Sequence, residues 1–196
     1  MDDRLVTWGR AVKSRGGGVG LPPLWLFTDA VRLADPCAAA LRLPRGLCGV
    51  VFRDDGRPDR IALGRRLARI CRERRLAFVV AGDWRLAAAL RAGLHLRGGR
   101  WPAGAPGFAL VTSSAHSPIE LRRAMRHGAA LAFVSPAFPT ASHPGAGALG
   151  AVRWALLARH GATRPTIGAV GGIDGATIRR LPRRSCGAAG AIGALS

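Results

Sequence analysis

From residue 24 onward the chain alternates short apolar runs with longer amphipathic ones, eight times over, and that alternation leaves few folds open. The apolar runs lie near Leu24 to Phe27, Gly49 to Phe52, Ala77 to Ala81, Leu94 to Leu96, Ala109 to Ser113, Leu131 to Val134, Thr166 to Val170 and Ala189 to Gly193. Each has the length and residue types of a buried strand and closes on residues that permit tight turns. Strands separated by helices imply a parallel sheet, because a parallel neighbour is reached only through a crossover. Eight such units predict an α/β fold of the (β/α)8 TIM-barrel kind. At 196 residues the chain is short for that fold, and no helical segment follows the eighth strand.

The segments between strands support helices. Arg60 to Arg74 spaces Ile61, Leu63, Leu67, Ala68, Ile70 and Cys71 for one buried face. Pro118 to Arg126 follows an N-cap at Ser117, with Glu120 at the capping-box position. Residues 1–22 read as an N-terminal extension and 23–196 as one barrel domain. Within the extension, Leu5, Trp8 and Val12 share a helical face, so a helix over Arg4 to Val12 is expected to pack on the barrel and replace the closing helix.

No apolar run approaches the ~18 residues of a membrane span, and the N-terminus lacks a secretory core, so a soluble cytoplasmic protein is expected. Cys37, Cys48, Cys71 and Cys186 have no metal spacing and read as reduced structural thiols. The formal charge of +19 comes almost wholly from arginine, since Lys13 is the only lysine. Such a field favours anionic partners. Nucleic acid fits poorly: there is no tyrosine, no interleaving of aromatic and basic residues, and arginines such as Arg65, Arg66, Arg69, Arg122 and Arg126 sit where a solvated helix face needs them. Phosphorylated small molecules fit better.

Two loops sharpen that reading. Phe133 to Pro144 and Ala169 to Ile173 each leave a strand end, where barrels carry function. Gly171 and Gly172 lack Cβ atoms, so their amides can converge on a phosphate, although the same pair also makes an ordinary strand-to-helix turn.

With these strands in order, residues from about 24 to 195 resemble the thiamine-phosphate synthase and thiazole tautomerase superfamily. The resemblance rests on Leu26-Phe27-Thr28-Asp29, Phe52-Arg53, Gly82-Asp83, Gly93-Leu94-His95-Leu96, Ser114-Ala115-His116-Ser117 and the two loops. It implies an enzyme of thiamine biosynthesis, a transferase joining hydroxymethylpyrimidine diphosphate to thiazole phosphate with release of pyrophosphate. By the same resemblance Arg53 and Ser114 would bind the diphosphate, and Asp83 would ligate Mg²⁺. Thr140, Gly171, Gly172, Ile192 and Gly193 would hold the thiazole phosphate. The lesser reading of Arg53 is a surface arginine, and Asp83 reads equally as the N-cap of the helix beginning at Trp84.

The chain departs from the family pattern at four positions. Asp55 stands in place of a lysine, Gly82 in place of an asparagine, Arg100 in place of a second metal-binding aspartate, and His143 in place of a lysine. Losing a carboxylate and gaining a guanidinium makes a poor Mg²⁺ site. Arg97 and Arg100 could then neutralise the diphosphate in place of the metal. In the tautomerase branch the acid/base histidine is replaced by Pro136, and His143 is the nearest proton-transfer group. A tautomerase-like isomerase, or a barrel that binds phosphorylated ligand without chemistry, are the alternatives. His95 reads as a satisfied core residue and His116 as serving the turn into the next helix.

Overall fold

A computed structural model describes residues 1–16, 20–140, 147–161 and 165–196. His143 lies outside them.

Eight parallel strands close into a barrel in sequence order: β1 (Leu24–Phe27), β2 (Cys48–Phe52), β3 (Ala77–Ala81), β4 (Gly93–Leu96), β5 (Val111–Ala115), β6 (Leu131–Val134), β7 (Thr166–Val170) and β8 (Ala188–Ala191). The ring closes where Leu24 of β1 pairs with Ala189 of β8. Among the described residues six α-helices accompany the strands: α1 (Asp3–Ser14), α2 (Pro36–Arg42), α3 (Arg60–Arg74), α4 (Trp84–Ala89), α5 (Pro118–Arg126) and α6 (Gly150–Ala158). Between β7 and β8 there is only a 3-10 turn, Ile178–Arg180, and a second, Gly193–Leu195, follows β8. The TIM-barrel expectation is met. Two strands are displaced by two residues from their expected limits: β5 begins at Val111 rather than Ala109, and β8 ends at Ala191 rather than Gly193.

Every strand alternates between two cores, as a period of two residues requires. Trp25, Phe27, Val51, Val79, Ala81, Leu131, Phe133 and Ala188 fill the barrel interior. Leu24, Leu26, Val50, Phe52, Val80, Ala132 and Val134 join the larger core beneath the helices. The large rings of β1 and β6 fit because β7 and β8 are small opposite them. A Cβ on Gly190 would come within 2.4 Å of Phe27, and one on Gly168 within 2.8 Å of Phe133.

α1 buries Leu5, Val6, Trp8 and Val12 and crosses so closely that a Cβ on Gly9 would stand 2.7 Å from Leu24. Its ends are tied: Asp2 N donates to Ala194 O at 2.8 Å, and Lys13 Nζ to Gly46 O at 2.6 Å. All four cysteines are buried and unbridged, and burial pushes the Cys48, Cys71 and Cys186 thiols up to about 12. Among the described residues no helix is long and apolar enough to cross a membrane.

Candidate functional site

The alternation that fills the barrel also fixes its C-terminal rim. Asp29, Arg53, Asp83, Arg97, Ser114, Gly172 and Ile192 each lie two residues beyond an inward-facing position: Phe27, Val51, Ala81, His95, Thr112, Val170 and Gly190. Side chains two apart along a strand share a face, so the strands deliver these residues to one mouth.

The floor of that mouth is aromatic. Phe27 meets Phe133 edge to face at 5.0 Å and His95 at 5.8 Å. His95 is buried, with Nδ1 2.8 Å from Thr112 Oγ1, which makes it the satisfied core histidine its sequence context suggests. Burial, with Arg53 and Arg97 nearby, pushes its pKa down to about 3, so the imidazole is neutral throughout the physiological range.

Arg53 lies over this floor, its guanidinium carbon 5.3 Å from the Phe27 centroid. Thr28 holds it from behind: Arg53 N donates to Thr28 Oγ1 at 2.9 Å and Arg53 Nε to Thr28 O at 3.1 Å. Thr28 Oγ1 in turn donates to Asp54 Oδ1 at 2.7 Å. Asp54 is buried with its second oxygen unpartnered, and that burial raises its pKa despite the Thr28 hydrogen bond. Nη2 of Arg53 is 3.5 Å from Asp29, a loose pairing that leaves donors free toward the mouth.

On the next strands lies a chain of ion pairs. Asp83 caps α4, accepting from Leu86 N at 3.0 Å through Oδ1, while its Oδ2 takes Arg60 Nη1 at 2.8 Å. Arg60 also stands 3.0 Å from Asp55 Oδ1, and Asp55 Oδ2 pairs with Arg97. Arg97 can lie there because position 82 is glycine: φ is +73°, and a Cβ would sit 2.8 Å from Arg97 Nε. Arg97 and Arg100 face each other across a two-residue hairpin whose turn residues, Gly98 and Gly99, both have positive φ. Gly98 N donates to Ser114 Oγ at 3.2 Å and Gly99 N to Ser113 Oγ at 3.1 Å, so β5 props the hairpin. Ser114 keeps its own hydroxyl hydrogen for another acceptor.

The far side of the mouth is backbone. Gly171 and Gly172 have φ of +94° and +62° and press on the β6 loop, where a Cβ on Gly172 would meet Pro139 O at 2.4 Å. Two hydrogen bonds zip the loops together: Ala137 N to Val170 O at 2.9 Å and Phe138 N to Gly171 O at 3.0 Å. Thr177 Oγ1 fixes the Gly172 carbonyl at 2.8 Å, and Asp2 of the N-terminus takes Gly175 N at 2.7 Å. No backbone carbonyl or side chain among the described residues accepts from the amides of Gly171, Gly172 or Gly193. Thr140 is half-buried at the end of the described β6 loop. His116 belongs to the start of α5 instead, its amide donating to Glu120 Oε2 at 2.6 Å.

Arg53, Arg97, Ser114, Gly171, Gly172, Ile192 and Gly193 thus come from different strands to one rim, with Arg100 beside Arg97 on its hairpin. Sequence reasoning missed Arg60, read only as a helix start. The residues present do not fit Mg²⁺. Three of the four oxygens of Asp55 and Asp83 accept hydrogen bonds from guanidinium groups or the α4 amide, the fourth, Asp55 Oδ1, stands 3.0 Å from Arg60 Nη2, and no three His, Cys, Asp or Glu side chains gather among the described residues.

Residues 30–194 match the family described as thiamine monophosphate synthase. Among solved structures, a thiamine phosphate pyrophosphorylase from Pyrococcus furiosus is 23% identical over 86% of this chain and 84% of its own, with a TM-score of 0.71. The corresponding protein from Bacteroides thetaiotaomicron is 18% identical over 89% of this chain and 84% of its own, with a TM-score of 0.60. No curated protein matches.

Proposed function

The chain belongs to the thiamine monophosphate synthase family, and on that premise we propose that it joins hydroxymethylpyrimidine diphosphate to thiazole phosphate with release of pyrophosphate. The observation that carries this reading is the pairing, across one aromatic floor, of two sides that present hydrogen-bond donors. Arg53, Arg97 and Ser114 offer side-chain donors on one side, and Gly171, Gly172 and Gly193 offer backbone amides on the other.

The chemistry follows from that division. The bond between the pyrimidine methylene carbon and the diphosphate oxygen breaks, and its electron pair leaves with pyrophosphate. Negative charge grows on that oxygen, so a guanidinium already positioned by Thr28 stabilises the transition state more than the ground state. The methylene becomes electron-poor above Phe27, Phe133 and a neutral His95, none of which opposes positive charge. The thiazole nitrogen then supplies its lone pair to that carbon, its phosphate held by the glycine amides. Thr140 lies on the loop beside that phosphate.

The ion pairing of Asp55 and Asp83 favours a second reading, a barrel that binds both phosphorylated molecules without joining them. Thiamine-phosphate formation and pyrophosphate release from the two precursors decide between the readings. Product is expected, and Arg53→Ala should lower turnover by about 10²–10³. Binding of both precursors without product would establish the second reading.

A further inference from the structure

In the clusters around the β1, β2, β3 and β4 ends, five guanidinium groups (Arg32, Arg53, Arg60, Arg97, Arg100) stand with the exposed or half-exposed carboxylates of Asp29, Asp55 and Asp83. Arg100 has no ion-pair partner among the described residues. Its backbone partner across the hairpin is Arg97, whose charge is compensated by Asp55, so Arg100 is the member of the pair left to meet an anion. A divalent cation entering this cluster would meet excess positive charge, and each carboxylate oxygen of Asp29, Asp55 and Asp83 already faces a guanidinium or a backbone amide; a diphosphate would bring the opposite charge.

Arg60 is the centre of the arrangement. It enters from the first turn of α3, is only 16% exposed, and rests on the Phe52 ring at 5.7 Å. Asp55 and Asp83 approach it from two different strand ends, as carboxylates approach a metal ion. A guanidinium in that place supplies a permanent positive charge on a covalent tether, and it cannot be lost to chelators.

We propose that this barrel mouth binds the diphosphate group without a divalent cation, with Arg60 standing as the resident cation and Arg97 and Arg100 reaching the phosphate oxygens. The inference rests on the reading of this rim as a diphosphate site, but not on turnover. No covalent step is added, because Arg60 acts through charge and by holding Asp55 and Asp83 away from the anion.

The test is calorimetric titration of inorganic pyrophosphate into the full chain, once in EDTA and once in Mg²⁺, alongside the two-precursor turnover assay. Binding in EDTA with an affinity unchanged within a fewfold is expected. Arg97→Met, a change at a mostly exposed side chain, should weaken that binding about tenfold. Arg60→Ala should abolish binding in EDTA yet regain it in Mg²⁺, because Asp55 Oδ1 and Asp83 Oδ2 lose their guanidinium partner and can then ligate the ion; thermal melting confirms that it folds. Pyrophosphate binding only in Mg²⁺, or in neither condition, overturns the inference. Metal-free binding without product leaves it standing and removes the synthase reading, whereas Mg²⁺-dependent binding with product does the reverse.

Discussion

Gly82 and Arg97 occupy one space: the absence of a Cβ on the first is what lets the guanidinium of the second reach Asp55. Gly82→Ala should therefore act twice. The left-handed backbone costs about 1–3 kcal/mol for a residue with a Cβ, and the displaced Arg97 leaves Asp55. Chemical denaturation should show the loss of stability, and pyrophosphate titration should show weakened binding. Stability lost with binding intact would mean that Arg97 does not need its present position.

Asp54 gives a pH signature. Burial raises its pKa above the ordinary 3.8, so the folded state holds its proton more tightly than the unfolded one. Its contribution to stability is complete below that ordinary value and is lost as pH rises through the folded pKa. Asp54→Asn keeps an oxygen for Thr28 and removes the titration. Stability measured from pH 3 upward should therefore fall in the parent relative to the variant across the acidic range; parallel curves would show that Asp54 is ionised in the fold at little cost.

His95 should contribute in the opposite sense. Its pKa in the fold is about 3 against 6.5 ordinarily, so the unfolded chain takes up the proton first as pH falls. Stability should decline from about pH 6.5 downward, and the ring protons of His95 should show no titration in NMR between pH 5 and 8. A midpoint in that interval would place charge at the floor of the mouth.

At the opposite side of the rim, Asp2 caps α1 and holds Gly175 N. Asp2→Ala should cost about 1 kcal/mol as a lost cap. Because Gly175 follows the Gly171-Gly172 pair, KM for the thiazole phosphate should rise while KM for the pyrimidine diphosphate holds. An equal rise in both would assign the effect to general loosening of the barrel.

The barrel was legible because buried parallel strands must be short and apolar, and Leu24–Phe27, Ala77–Ala81 and Leu131–Val134 have no other reading at that spacing. β5 was displaced because Ala109 and Leu110 extend the apolar run into the approach to the strand, while its far end carries Ser113 and Ser114. Those polar residues serve the hairpin and the mouth, which is where apolar patterning stops reporting position. Asp83 had two readings in sequence, cap or ligand; its hydrogen bond to Leu86 N shows the cap. Arg60 left no local trace, since its meaning depends on three loops converging from β2, β3 and β4.

The closure of β1 on β8 also sets the order in which this chain can finish folding. On the ribosome β1 is made before the other strands of the barrel, but its second neighbour appears only after β2 through β7 have all been made. Until then Phe27 lacks the close backbone of Gly190 beside its ring, and one strand edge stays open to any passing chain. Synthesis of this barrel should accordingly be the stage at which it depends most on chaperones.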